Sequence, residues 1–113
     1  NKIFVILDSA MNDFLRPALY GAKHEILPTV KNNKKIKKTT EFVGPICETT
    51  DTFLKLSKFQ SIQEGDNIAI LNTGAYGMSL SSNYNVRPMP IEILIKNKKS
   101  SVILKRQKLN EIT

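Results

Sequence analysis

Residues 91–106 read IEILIKNKKSSVILKR, and this stretch decides the class of fold. Two runs rich in Ile, Leu and Val, the residue types favoured in strands, lie on either side of Asn97-Lys98-Lys99. Asn accepts the left-handed backbone that a tight turn requires. The stretch therefore predicts two strands, at 91–96 and 101–106, that are joined by a turn.

The rest of the chain repeats this pattern. A second hairpin is expected where 23–30 and 35–43 flank Asn32-Asn33, and the apolar run at 2–7 is of the kind that is buried on both faces. Residues 47–63 are mixed in character and are expected to form a long loop. Further strands are predicted at 2–8, 23–29, 36–43 and 67–72. Helix is expected only in short pieces near 12–20, 78–82 and 107–112.

At least five strands without a long amphipathic helix favour a mainly β barrel or sandwich. The 113 residues suit one small domain, 1–113, and 41% hydrophobic residues are enough for a packed core. No apolar run approaches the roughly 20 residues of a membrane helix, and no signal-peptide cleavage pattern follows the first strand. We therefore expect a cytoplasmic protein. Because the chain starts with Asn1 and enters a strand at once, we also expect polypeptide before it.

The net charge of +7 is concentrated in two lysine-rich stretches, 31–38 and 96–99. Such a charge could attract nucleic acid or acidic membranes. Neither stretch contains the aromatic residues of a base-stacking surface, which favours solvated turns. We expect no nucleic-acid or membrane partner. A small basic nucleic-acid-binding β-barrel remains the alternative from a different functional class.

Three segments contain residue types that suit chemistry. In the first, residues 11–20, Arg16 and Tyr20 lie four apart and share a face if the segment is helical. A guanidinium beside a phenol can bind both oxygens of a carboxylate and add a third hydrogen bond. The alternative is a surface ion pair for Arg16 and simple packing for Tyr20.

The second segment, residues 44–51, reads GPICETTD and contains the single cysteine, Cys47. One thiol cannot form an internal disulfide, and no cluster of metal ligands surrounds it. Acidic neighbours favour the neutral thiol, which suits a proton donor better than a nucleophile. A structural cysteine is the alternative.

In the third segment, Gly74 and Gly77 bracket Tyr76 and could let the backbone approach a ligand, although a plain glycine hairpin is also possible.

Together and in this order, these segments resemble the carboxy-terminal signature of the diaminopimelate decarboxylases, a family of fold-type III pyridoxal-phosphate enzymes related to alanine racemase and ornithine decarboxylase. The resemblance extends from Phe4 to about Glu111. Arg-Pro-Ala-Leu-Tyr at 16–20 is typical of the diaminopimelate branch and not of the ornithine branch. The motifs that carry the resemblance are RPALY at 16–20, GPICE at 44–48, GAYG at 74–77, SSNYN at 81–85 and RP at 87–88.

The resemblance implies a two-domain homodimer in which an amino-terminal (β/α)₈ barrel carries the cofactor lysine and binds most of the pyridoxal 5′-phosphate. The carboxy-terminal β-barrel of one subunit would donate its Cys-Glu loop to the active site of the other. Cys47 would return a proton to the substrate carbon after carbon dioxide leaves, and Glu48 would hold the distal ammonium. Arg16 and Tyr20 would bind the distal carboxylate of the substrate, meso-diaminopimelate. Tyr76 would contact the cofactor and also the substrate.

The chain departs from the family pattern at Thr49-Thr50, where Ser-Gly is usual, at Asn72-Thr73, where Asp-Ala is usual, and at Ala10, where glycine is usual. None of these changes touches a side chain with an implied role, but the shape of the loop after Glu48 is affected. A related decarboxylase of another basic amino acid is the nearer alternative. Arg16 and Tyr20 argue against it, because a substrate without a second carboxylate needs no such clamp.

Overall fold

The computed structural model describes residues 1–113 and contains short strands, one α-helix and three 3₁₀ turns. None of these helices has the length and hydropathy of a membrane span. The strands are β1 (Lys2–Ile6), β2 (Ile26–Pro28), β3 (Lys35–Ile36), β4 (Thr39–Val43), β5 (Thr52–Leu56), β6 (Phe59–Gln60), β7 (Ile68–Ile70), β8 (Glu92–Lys96) and β9 (Lys99–Leu104). The helix is α1 (Arg16–Tyr20), and the 3₁₀ turns are Met78–Leu80, Tyr84–Val86 and Leu109–Glu111.

The strands form one sheet of three and three pairs. In the larger sheet, the central β4 is parallel to β1 and antiparallel to β5. The pairs β2–β7, β3–β6 and β8–β9 are all antiparallel. The mainly β class and the short helices are confirmed. These sheets do not close into a single barrel, because no hydrogen-bonded strand joins one sheet to the next.

The hairpin at 91–106 forms as predicted. Its turn residues Asn97 and Lys98 both have positive φ, at 51° and 62°, as the tight turn between twisted strands requires. The predicted hairpin around Asn32-Asn33 is wrong, since β2 pairs with β7 and β3 pairs with β6. Asn32 instead donates from its side chain to the Ser61 carbonyl at 2.8 Å, and this bond draws the chain toward β6.

Two further expectations are corrected by the structure. The prediction that residues 2–7 are buried on both faces is wrong. Side chains of β1 alternate between its two faces, and Phe4 and Ile6 are 58% and 70% exposed. The prediction of a long loop at 47–63 is wrong for its second half, where the structure has β5 and β6. Phe53 and Phe59 on these strands are buried, so pairing with β4 and β3 and burial of aromatic rings override the weak local pattern.

Aromatic rings dominate the hydrophobic core. Phe42 on β4 is fully buried, and its ring meets that of Phe59 edge to face with centroids 4.9 Å apart. The other members of the core cluster are Phe14, Ile26 and Phe53. The lysines at 34, 35, 37 and 38 are all exposed, as the sequence predicts. The core therefore lies between the β1–β4–β5 sheet and the small pairs, with the lysine-rich stretch outside it.

We predict that Phe42→Ala lowers the free energy of unfolding by about 3–5 kcal/mol, because it removes a fully buried ring and leaves a cavity. Phe4→Ala is the matched control, since Phe4 is largely exposed on the neighbouring strand, and its effect should stay below about 1 kcal/mol. Urea denaturation of the chain followed by circular dichroism measures both. Equal losses for the two variants would contradict this description of the core.

Candidate functional site

The segment between β1 and α1, residues 7–15, bonds to the second chemical segment and to the motifs at 81–88, and a buried asparagine lies near its centre. The Asn12 side chain donates to the Ser82 carbonyl at 3.1 Å and accepts from Arg87 Nε at 3.0 Å. The Ser82 backbone N–H also donates to the Asn12 carbonyl at 2.9 Å. These bonds join positions 70 and 75 residues apart in the chain. The SSNYN and RP motifs are thereby fixed against the β1–α1 segment.

Asp13 and Arg87 strengthen this junction. The Asp13 carboxylate accepts from the Ala10 backbone N–H at 2.9 Å and lies 3.9 Å from Arg87 Nη2. Arg87 Nη2 also donates to the Asp8 carbonyl. One guanidinium thus contacts a backbone carbonyl, a side-chain amide and a carboxylate, for which its fork of N–H donors is suited.

The Gly44–Asp51 loop presents Cys47 and Glu48 to solvent. Both side chains are exposed, and Cys47 is a free thiol. The loop is closed by a bond from the Gly44 N–H to the Asp51 carbonyl at 2.9 Å. The Asp51 carboxylate is buried and accepts from the backbone N–H groups of Met11 at 2.7 Å and Ile46 at 2.8 Å. The loop is therefore fastened directly to the β1–α1 segment.

Helix α1 begins at Arg16, and Pro17 suits its first turn because the missing N–H would have no helical partner there. It ends at Gly21, whose φ of 65° is left-handed and whose N–H donates to the Pro17 carbonyl at 3.0 Å. The single turn confirms that Arg16 and Tyr20 lie on one helix. Tyr20 is exposed, whereas Arg16 is partly buried and its Nε has no hydrogen-bond partner within the chain.

The glycine loop at 72–78 holds Tyr76 in an unfavourable backbone conformation. Tyr76 has a φ of 61°, which is uncommon for a bulky residue, and its side chain is 66% exposed. A Cβ at Gly77 would overlap the Thr73 carbonyl, so this glycine serves a contact within the loop. Val86, farther along the same segment, also has a positive φ, at 57°. The backbone at Tyr76 is therefore strained, and its side chain lies on the surface.

A cleft of about 550 Å³ separates the glycine loop from the β1–α1 segment. Ser9, Asp13 and Phe14 line one side. Thr73, Gly74, Gly77 and Met78 line another, and residues of the β8–β9 hairpin and its approach complete the wall. The first and third chemical segments are therefore neighbours in space.

The structure brings the predicted segments together through backbone and supporting side chains. No hydrogen bond joins Cys47, Arg16, Tyr20 or Tyr76 directly to one another. Sequence reasoning gave no role to the residues that make the connection, which are Asn12, Asp13, Asp51 and Arg87. The available signal was their polarity, since Asn12 and Asp13 lie beside buried Phe14, and Asp51 directly precedes a strand.

Comparisons with known proteins identify the same family. Residues 1–74 match the family described as "Pyridoxal-dependent decarboxylase, C-terminal sheet domain". The diaminopimelate decarboxylase of Helicobacter pylori is 46% identical over 112 residues, which are 99% of this chain and 28% of that protein. That of Aquifex aeolicus is 42% identical over 113 residues, with 99% and 26% coverage. The chain thus spans little more than a quarter of the length of these relatives.

Among solved structures, the fold is similar to that of diaminopimelate decarboxylase from Helicobacter pylori complexed with L-lysine, with a TM-score of 0.88 and 45% identity. The match covers 96% of this chain and 27% of that one. Sequence and fold agree over nearly all of the 113 residues. The chain belongs to the family of pyridoxal-dependent decarboxylase C-terminal sheet domains.

Proposed function

We propose that this chain is the carboxy-terminal portion of a decarboxylase that converts meso-2,6-diaminopimelate to L-lysine and carbon dioxide, in lysine biosynthesis. The observation that carries the proposal is the partly buried Arg16, whose Nε lacks a partner within the chain. An unpaired charged donor is costly, so a carboxylate bound beside the guanidinium of Arg16, which is only partly buried, would stabilise it. The names of the relatives, and the L-lysine bound to the Helicobacter pylori enzyme, support this substrate and product.

The substrate would be held at its distal end. Arg16 offers a fork of donors to the distal carboxylate, and Tyr20, on the same helical turn, adds a hydroxyl. Glu48, exposed at the loop tip, would pair with the distal ammonium. This set of charges fits a substrate with both an amino and a carboxyl group at its far end. It distinguishes meso-diaminopimelate from lysine or ornithine, which have no second carboxylate.

Cys47 would supply the proton. Loss of carbon dioxide breaks the bond between the carboxyl carbon and the α carbon, which keeps the electron pair. A proton from Cys47 Sγ then forms the new C–H bond, and the resulting thiolate is reprotonated from water. The free thiol is exposed at the end of a loop, which leaves it able to reach a substrate held by another surface.

Pyridoxal phosphate, when bound, supplies the electron sink that makes loss of carbon dioxide feasible. The residues of this chain fit a peripheral contact to it. Tyr76 presents a phenol that is exposed and hydrogen-bonded to nothing in the chain, and it can donate to a phosphate oxygen. A Cβ at Gly74 would meet no atom within 4 Å, so the backbone there is open to a ligand. Tyr76 would therefore steady the cofactor and border the substrate.

The remaining features follow from the resemblance. Residues 1–113 would form the smaller domain of a two-domain polypeptide, and its separate sheets would join strands supplied elsewhere to close a β-barrel. The preceding (β/α)₈ barrel would hold the cofactor and its lysine. Two subunits would share each active site, with Cys47 acting on substrate held by the other subunit. We place this biosynthetic homodimer in the cytoplasm.

We predict that the isolated 113-residue chain, with added pyridoxal phosphate, releases no carbon dioxide from meso-diaminopimelate. The proposed cofactor lysine lies outside it, and without that lysine the cofactor has no covalent anchor. A manometric or coupled assay of the purified chain measures this, with the complete enzyme as the positive control. Turnover by the chain alone would contradict the proposal that the preceding domain supplies the cofactor lysine.

We predict that Cys47→Ala in the complete enzyme lowers kcat by about 10²–10⁴-fold, the usual contribution of a general acid, while cofactor absorbance is retained. Cys47→Ser should be nearly as poor, because a hydroxyl is a much weaker acid. Mixing Cys47→Ala subunits with subunits that lack the cofactor lysine should restore part of the activity, since one site of each mixed dimer has both groups.

Near-normal turnover of Cys47→Ala would show that the exposed thiol does not deliver the proton. If the mixed subunits exchange freely and stay inactive, the shared-site arrangement is wrong.

We predict that Arg16→Gln raises KM for meso-diaminopimelate by about 10–100-fold, as expected for the loss of a charge-assisted hydrogen bond of about 1.5–3 kcal/mol. The control replaces the exposed Lys34, Lys35, Lys37 and Lys38 with Gln and should leave KM and kcat nearly unchanged. Steady-state kinetics measure both.

If Arg16→Gln is neutral and the enzyme prefers L-lysine or L-ornithine, the related decarboxylase is the better assignment. If the lysine variant is the impaired one, the basic stretch has a role.

A further inference from the structure

The Asp51 carboxylate occupies an unusual position for a charged group. It is only 2% exposed, yet neither oxygen pairs with a positively charged side chain. Oδ1 accepts from the Met11 N–H, forty residues earlier in the chain, and Oδ2 accepts from the Ile46 N–H, directly before Cys47. Hydrogen bonds to a carboxylate are stronger than those between neutral groups, so this side chain is a firm link between two backbones.

The loop is shaped to admit this carboxylate. A Cβ at Gly44 would overlap the carboxylate atoms of Asp51, so a side chain at position 44 would displace them. The Gly44 N–H donates to the Asp51 carbonyl, and the Asp51 N–H donates to the Glu48 carbonyl at 3.1 Å. Main chain and side chain of one residue therefore hold the start, the middle and the end of the loop that carries Cys47 and Glu48.

The other partner of Asp51 lies in the body of the same domain. Met11 lies in the β1–α1 segment, which continues directly into Arg16, and Thr50 Oγ1 approaches Met11 Sδ at 3.9 Å. Since the proposed site takes Cys47 from one subunit and the substrate from the other, a shift of the loop relative to Met11 moves Cys47 relative to its own domain, and so relative to the substrate that the other subunit holds. Because proton transfer depends on placement within hydrogen-bond reach, this link has a chemical consequence.

We infer that Asp51 is a positioning residue that holds Cys47 at the distance and orientation required for proton delivery. The inference rests on the proposed function of Cys47. Asp51 itself contacts neither substrate nor cofactor. Loss of the carboxylate should impair the chemical step most, and should weaken substrate binding less, through the shift of Glu48 on the same loop.

The test is Asp51→Asn in the complete, cofactor-loaded enzyme. The amide keeps the size of the side chain but directs an N–H₂ group at one of the two backbone donors, which breaks that bond. We expect kcat to fall by about 10–100-fold and KM for meso-diaminopimelate to rise by less than about tenfold, because Arg16 and Tyr20 still bind the substrate when Glu48 shifts with the loop. Asp66→Asn is the matched control. Its carboxylate also accepts a backbone N–H, from Gln63 at 2.8 Å, but in an exposed turn, and its kcat should be unchanged.

A double-mutant cycle separates positioning from general damage to the fold. In a Cys47→Ala background, adding Asp51→Asn should lower kcat by less than about threefold, because the acid it places is already gone. Hydrogen exchange gives a readout independent of turnover. Peptides that contain the Met11 and Ile46 amides should exchange faster in Asp51→Asn, and the peptide around Gln63 should not.

Gly44→Ala is a second variant, which keeps the carboxylate but displaces it, and it should give the same kinetic pattern. The inference is overturned if Asp51→Asn keeps kcat within about twofold, or if it costs the same factor with and without the Cys47 thiol. It is also overturned if both variants fail to fold, since Asp51 would then be a folding residue. Full turnover of Cys47→Ala would instead refute the proposed role of Cys47, and the exchange data would still show whether Asp51 holds the loop.

Discussion

The structure depends on the hydrogen bonds that Asn12 makes inside the protein. The side-chain amide of Asn12 donates to the Ser82 carbonyl and accepts from Arg87. The backbone carbonyl of Asn12 accepts from the Ser82 N–H. A buried amide without partners would be costly, but here the donors and the acceptor are satisfied by groups from a segment with almost no regular structure. The carboxy-terminal third of the chain is placed by these few polar contacts more than by the small core.

Polar contacts matter here because the β-structure is divided. Each of the smaller sheets consists of only two strands, and isolated two-stranded hairpins are marginal in water. The exposed apolar side chains on β1 and on the β8–β9 hairpin add little to the core of this chain. Buried hydrogen bonds between distant segments therefore determine where the chemical loops lie. The Asp51 carboxylate holds the Cys47 loop in the same way as Asn12 holds the segment around Ser82 and Arg87.

Local sequence predicts the parts of this molecule that depend on neighbours in the chain. The hairpin at 91–106, the single helical turn at Arg16–Tyr20 and the exposed lysines all follow from turn chemistry, spacing and charge. The predicted strand pairing around Asn32 is wrong, because the Asn32 side chain bonds to Ser61 and β3 pairs with β6. The supporting residues of the site could not be identified from the sequence alone. The local sequence around a buried Asp that bonds to distant amides does not differ from that around an exposed Asp. Their identification required the contacts between Met11 and Asp51 and between Asn12 and Arg87.

The left-handed backbone at Tyr76 and Val86 has a consequence for protein design. Each non-glycine residue in this conformation costs roughly 1–2 kcal/mol, and Val86 is β-branched, which makes the geometry still less favourable. Val86 lies next to Arg87, whose bonds to the Asn12 side chain and the Asp8 carbonyl fix this end of the segment. A Gly-Ala-Tyr-Gly loop transplanted into another scaffold would therefore relax to a different shape and point its phenol elsewhere. A graft that is to keep the left-handed turn at Val86 would have to include the segment from Asp8 to Leu15 together with Arg87, which bonds to it.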